Sequence, residues 1–323
     1  MSAANLLNTY LANNQTLVNN YHMQLLSIER QHPHGLSQQK ILIQNITNNF
    51  NTQRNLLYTN YLLAFKQLSS ASTSIPTLTT PVNHKKALLI GTNYPNTPYT
   101  LHGCVNDPND LKVALLNHGF QAESIELLTD TTTLKPTKTN ILNEITKFIQ
   151  NSVVDDILFL SFSGHGSQTY VNNSDEEMII SSDLNAITDV ELNAIVQNNL
   201  KAGVYIFILC DSCHSGTILD LKYKYFDSDN NNNTTIYPNN KLTLGNVILV
   251  SGCLDEQTSA EAFINNKYQG ALTYAFIKVF ETSNNYQSLL TNIRAVLKAD
   301  GYSQLPQLSS GEPLDTTAPL SFL

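Results

Sequence analysis

Tryptophan is absent from this 323-residue chain, and cysteine occurs only four times, at 104, 210, 213 and 253. Four cysteines are too few to staple a disulfide-built secreted scaffold. No apolar run approaches the roughly 18 residues of a membrane span, and the N-terminus lacks the basic-then-apolar pattern of a signal peptide. The expected setting is therefore the reducing cytoplasm, away from membranes. Basic residues are scarce too, with 18 Lys and Arg against 26 Asp and Glu and a net charge of −8. That balance argues against nucleic acid as a partner, because phosphate binding needs a basic face.

The charge that is present is unevenly spread. Up to residue 84 there are four basic residues (Arg30, Lys40, Arg54, Lys66) and one acid, Glu29. The acids fall almost entirely beyond that point. An acidic second region suits cationic substrates or bound metal, although acidic surfaces also serve solubility alone.

Residues 1–68 carry apolar side chains at helical spacing: Leu6, Tyr10, Leu17, Tyr21, Leu25 and Ile28, then Ile43, Ile46, Phe50, Leu57, Tyr61 and Phe65. His32-Pro33-His34-Gly35 breaks the pattern between the two runs. This predicts a helical hairpin with Asn/Gln-rich outer faces, either a packing appendage or a partner-binding arm. Residues 69–84, rich in Ser, Thr and Pro, read as a linker. From 85 to 323 the texture changes. Short β-rich runs at 87–90, 125–128, 157–162, 204–209 and 247–250 alternate with helical stretches at 107–117, 139–151, 189–199, 268–281 and 286–298. Several runs are apolar throughout, as in strands covered on both faces. The expected fold class is α/β, a mostly parallel central sheet flanked by helices. The polar, Asn-rich segment 227–240 reads as a mobile surface loop.

In parallel sheets active sites gather beyond the carboxyl ends of the strands. Two predicted strands end in Ser163-Gly164-His165-Gly166 and in Cys210-Asp211-Ser212-Cys213-His214-Ser215-Gly216. If these strands are neighbours, His165 and Cys213 meet at one edge. A thiol of ordinary pKa is mostly protonated at neutral pH, and an imidazole supplies both the acceptor and the later donor that nucleophilic catalysis requires. Gly164 and Gly166 allow a sharp turn, and amides near Gly166 and Cys213 suit an oxyanion hole. The interval from His165 to Cys213, about 50 residues, is the one that caspase-type peptidases share. Cys210 and Cys213 also form a C-x-x-C, but no second such pair completes a zinc site.

The segments Lys86-Ala87-Leu88-Leu89-Ile90-Gly91-Thr92-Asn93-Tyr94, Gly103-Cys104-Val105-Asn106-Asp107, Ser163-Gly164-His165-Gly166, Asp211-Ser212-Cys213-His214-Ser215-Gly216 and Pro306-Gln307-Leu308-Ser309-Ser310 occur in order. Together with Ser251-Gly252-Cys253 and Gln257-Thr258-Ser259-Ala260, they make residues 85–323 resemble a type I metacaspase, of the caspase-like fold. The resemblance does not extend to residues 1–84. It implies a cysteine endopeptidase with His165 and Cys213 as dyad, cleaving peptides after Arg or Lys. Cys104, Asp107, Ser163 and Asp211 match the family's acidic S1 pocket, where carboxylates pair with a guanidinium or ammonium and exclude an acidic side chain.

The resemblance also implies calcium activation, self-processing and a monomeric state. Asp220 matches a calcium-binding position well. Asp189 matches one of a usual Asp-Asp pair whose other member here is Thr188, and Glu176 aligns where Asp is usual. Calcium takes oxygen from any of these types, although a solvated acidic loop has the same composition. Lys222 and Lys224, just before the Asn-rich loop, are the candidate self-processing sites. Two competing readings are an Asp-specific caspase-type peptidase and a peptidase-like scaffold that binds aggregates through its N-terminal arm.

Overall fold

Apolar runs become the inner strands of one sheet in the computed structural model of the chain. It describes residues 84–171, 174–213, 215–226, 234–252, 261–264 and 267–322, with scattered positions between 9 and 64 that are all helical. The expected hairpin over 1–68 and linker over 69–84 otherwise lie outside the described residues, as do 227–233, His214, Cys253 and 257–260. The chain divides into two compact units, Met1–Val82 with Pro313–Asp315 and Asn83–Glu312 with Thr316–Leu323. The second unit carries every expected site residue.

Its elements begin with β1 (Lys85–Gly91), α1 (Asn106–Leu116), β2 (Ile125–Thr129), α2 (Lys138–Gln150) and β3 (Ile157–Ser163). Three short strands follow, β4 (Gly166–Val171), β5 (Ser174–Ile180) and β6 (Ala186–Thr188), then α3 (Asp189–Asn199) and β7 (Tyr205–Asp211). The remainder comprises β8 (Tyr223–Tyr225), β9 (Thr234–Ile236), β10 (Asn246–Ser251), β11 (Glu261–Ile264), β12 (Lys267–Gly270), α4 (Ala271–Val279), α5 (Tyr286–Ala299) and β13 (Gln307–Ser310). The main sheet has the order β2-β1-β3-β7-β10-β13-β8-β9. It is parallel from β2 to β10 and antiparallel beyond.

Alternation along β3 explains why its run is apolar throughout. Leu158, Leu160 and Phe162 enter a core shared with Ile141, Ile145 and Ile149 of α2, whose spacing of four lines one helical face. Phe159 points the other way, into an aromatic cluster with Phe207, Phe276 and Phe322, where the Phe207 and Phe322 centroids lie 4.3 Å apart. Each buried side chain of this size contributes about 1.5–3 kcal/mol. The helix starts are fixed locally: Thr137 caps α2, and capping boxes at Thr188/Glu191 and Asn285/Ser288 open α3 and α5.

Two expectations change. The helix foreseen over 268–281 starts at Ala271, because Lys267–Gly270 pairs with β11 instead. The Asn-rich segment is not all loop, since Thr234–Ile236 pairs with Tyr223–Tyr225. Hairpin pairing wins over polar composition in both places.

Candidate active site

The register brings three strand ends level. Gly91 pairs with Ser163, and Ser163 pairs with Asp211. β3 and β7 are therefore neighbours, and their continuations, Gly164-His165 and Ser212-Cys213, leave the sheet side by side. The Gly164 amide donates to the Asp211 carbonyl at 3.3 Å. Gly166 sits so close to the Cys213 carbonyl that a Cβ there would overlap it. Glycine at 166 is thus what lets the two loops touch. The Cys213 loop is stitched from below: Ser215 Oγ donates to the Ser212 carbonyl at 2.8 Å and accepts from the Gly252 amide at 3.3 Å. Cys213 itself is partly exposed and, like Cys104 and Cys210, is not in a disulfide.

His165 is held at both ends. Its backbone N–H donates to the Tyr94 hydroxyl at 2.7 Å, and its Nε2 lies 2.7 Å from the Tyr99 carbonyl. A carbonyl only accepts, so Nε2 carries the proton and Nδ1 keeps the lone pair of the neutral ring.

Asp107 and Asp211 come together from different elements. Asp107 lies in the first turn of α1, is fully buried, and accepts from the Gly270 amide at 2.9 and 3.1 Å. Asp211 ends β7 and accepts from the Thr273 amide and hydroxyl at 2.8 and 3.0 Å. A Cβ at Gly270 would collide with carboxylate oxygens of both. Burial, and then the neighbouring Asp211 charge, push the Asp107 carboxyl well above the usual range, against the opposing Gly270 hydrogen bond. The buried Ser163 hydroxyl lies beside Asp107 and favours its charged form, but stands outside hydrogen-bond geometry with a partner among the described residues. Cys104 is buried in the same turn, where Gly103 meets the backbone of Gln269. Gly270, Thr273 and Tyr99 were missed in the sequence. Gly270 and Thr273 lie at the start of a helix that the pattern ran through, and a backbone carbonyl has no residue type to read.

The expected calcium residues assemble only in part. Asp189 opens α3 and accepts from the Glu177 amide at 2.9 Å and the Val190 amide at 2.6 Å. Asp220, at a positive φ of 47°, has its carboxyl pushed up to about 6 by burial and by the nearby Asp189 charge. Glu176 does not join them. Side chains alternate along β5, and it is Glu177 whose carboxylate turns to this loop, accepting from the Thr217 amide at 2.8 Å. Among the described residues no group of three His, Cys, Asp or Glu stands ready to hold a metal ion. Two neighbouring carboxylates fit a hard cation as partial ligands, not as a full cage.

The two lysines expected at the self-processing position are not presented to a protease. Lys222 is buried, with Nζ donating to the carbonyls of Pro238 and Asn240 at 3.0 and 2.8 Å. Lys224 is buried within β8, paired on both sides.

Residues 84–316 match the family described as Caspase domain. Metacaspase-1A of Neurospora crassa is 33% identical over 293 residues, covering 72% of this chain and 63% of that protein. Metacaspase-1 of Scheffersomyces stipitis is 34% identical over 289 residues, covering 72% of each. A solved protein from Geobacter sulfurreducens shares the fold at a TM-score of 0.54 and 22% identity, over 73% of this chain and 97% of that one. The chain spans 63% and 72% of the two curated relatives' lengths. Together the strand order, the matched domain and these identities make the chain a member of the metacaspase branch of the caspase-domain cysteine peptidases.

Proposed function

We propose that the protein is a cysteine endopeptidase cleaving after Arg or Lys, with Cys213 as nucleophile and His165 as base. One observation carries the specificity: two carboxylates, Asp107 and Asp211, lie buried together, and Asp211 is two residues before Cys213 in the chain. Burial and the Asp211 charge raise the Asp107 carboxyl, and a guanidinium or ammonium entering between the two carboxylates would relieve that repulsion by pairing with both. An acidic side chain would meet only repulsion, which counts against the Asp-specific reading.

In the first step His165 Nδ1 takes the Cys213 proton and the sulfur adds to the carbonyl carbon after the basic residue. Amides near Gly166 and Cys213 receive the oxyanion. The imidazolium then protonates the leaving amine, the C–N bond breaks, and a thioester remains. Water, deprotonated by the same imidazole, hydrolyses the thioester and restores the thiol. This chemistry needs a reduced thiol, which supports a cytoplasmic setting, and no helix among the described residues is long and apolar enough to cross a membrane. The three-residue β9 at the sheet edge offers little template for a second copy, which supports a monomer. Self-processing would fall at an exposed basic residue such as Lys241.

Calcium responsiveness is part of the proposal, with Asp189 and Asp220 as the residues that would hold the ion and the relief of their mutual repulsion as its contribution. A calcium titration of peptide cleavage with a chelator control tests it; no stimulation up to millimolar calcium removes it. The core proposal is tested by fluorogenic peptides ending in Arg, Lys or Asp. Wild type should turn over only the basic ones and Cys213→Ala none. Turnover by that variant, or preference for Asp, overturns the reading.

A further inference from the structure

Tyr94 is a fully buried, non-glycine residue at a positive φ of 53°. Such a conformation costs of order 1–3 kcal/mol and persists only where its surroundings over-determine it. The surroundings here do so on every side. Asp130 accepts from the Thr92 hydroxyl at 3.0 Å and from the Asn93 amide at 2.5 Å, pinning the two residues before Tyr94. Asn93 in turn accepts from the Leu101 amide at 2.8 Å through its carbonyl and from the Val105 amide at 3.2 Å through its side chain.

From that anchored position Tyr94 reaches His165 in two ways. Its hydroxyl accepts from the His165 backbone N–H and donates to the Ile180 carbonyl, both at 2.7 Å, while its ring lies 4.7 Å from the imidazole. Burial raises the phenol pKa, so the group stays neutral and serves as donor and acceptor together. A Cβ at Gly164 would stand 2.6 Å from the hydroxyl, so glycine at 164 admits the phenol. Its main-chain carbonyl meanwhile accepts from the hydroxyls of Thr97 and Thr100 at 2.8 and 3.1 Å. Those bonds close the turn that carries Tyr99, whose carbonyl is the partner of His165 Nε2.

We propose that Tyr94 is the positioning residue of the dyad, setting the His165 backbone with its hydroxyl and the His165 tautomer through the 94–100 turn. Its action in this role runs through His165. The inference rests on His165 being the base, so His165→Ala accompanies every assay.

The full chain is assayed with an Arg-ending fluorogenic peptide across pH. Tyr94→Phe keeps the ring and removes only the hydroxyl. It should lower kcat by about 10- to 100-fold, the scale of small misplacements of a catalytic group, with KM within about twofold. The acidic limb of the kcat/KM profile should move to lower pH, because an imidazolium drifting from the Tyr99 carbonyl loses its acceptor. Thr97→Val with Thr100→Val, near the surface, should lower kcat a few-fold and move the same limb the same way. That variant decides the matter should Tyr94→Phe fail to fold. An unchanged kcat, or a loss without movement of the limb, overturns the positioning role. Turnover by His165→Ala would instead overturn the proposed function beneath it.

Discussion

The domain holds two pairs of neighbouring aspartates, Asp107 with Asp211 and Asp189 with Asp220, and the fold treats them differently. The first pair is enclosed, fed by the Gly270 amide and by the amide and hydroxyl of Thr273, and lies at the strand ends beside Cys213. The second is partly open. Asp189 is bound by two amides at the start of α3, and Asp220 rests on a left-handed backbone with its carboxyl raised to about 6. Burial raises the carboxyls of Asp107, Asp189 and Asp220, and the first pair is the more enclosed because Asp220 is only half-buried. Proximity of like charges alone therefore does not decide how a carboxylate pair behaves; enclosure and the donors around it do.

The sharpest way to break this contrast is Asp211→Asn. Loss of one partner of a buried charge interaction costs about 2–5 kcal/mol, so kcat/KM for Arg-ending peptides should fall by about 30-fold or more. Thermal stability at neutral pH should hold or rise, since a like-charge contact is removed. Steady-state kinetics with a melting curve decides; unchanged kinetics removes the specificity role. Gly270→Ala comes next. The added methyl meets both carboxylates, so a melting curve should show a loss of about 1–3 kcal/mol together with poorer cleavage after Arg. A neutral outcome in both would mean the enclosure is loose.

The second pair predicts the smallest effect, visible in stability alone. The folded pKa of Asp220 is above its ordinary 3.8, so the folded protein binds that proton more tightly than the open chain. Its contribution is present below 3.8 and lost as pH rises through about 6. Asp220→Asn should therefore stabilise the calcium-free protein above that range and do nothing below it. Denaturant midpoints at acidic and neutral pH, with chelator present, check the sign. Equal midpoints for the two proteins at neutral pH would show that Asp220 carries no such strain.

The sheet and the meeting of the His165 and Cys213 loops were legible because their signals are local: apolar runs of strand length, and Gly-flanked His165 and Cys213 at two strand ends. Asp107 and Asp211 were legible through the motifs around them. Glu176 was misplaced because only strand register decides which of two adjacent glutamates turns inward. Lys222 and Lys224 were misjudged because a basic residue beside a polar loop reads as exposed until the carbonyls around it are seen.

By itself the sequence determined the parallel α/β core and the two Gly-flanked strand ends that carry His165 and Cys213, since covered strands and sharp Gly-rich turns need particular residue types in a particular order. Only the tertiary structure decided the neighbourhood of those residues. Gly270 closing the carboxylate pair, Tyr99 lending a carbonyl to His165, and Tyr94 gripping that histidine all join segments far apart in the chain. Their bonds run through backbone atoms or through side chains of unremarkable type, which no spacing in the sequence records.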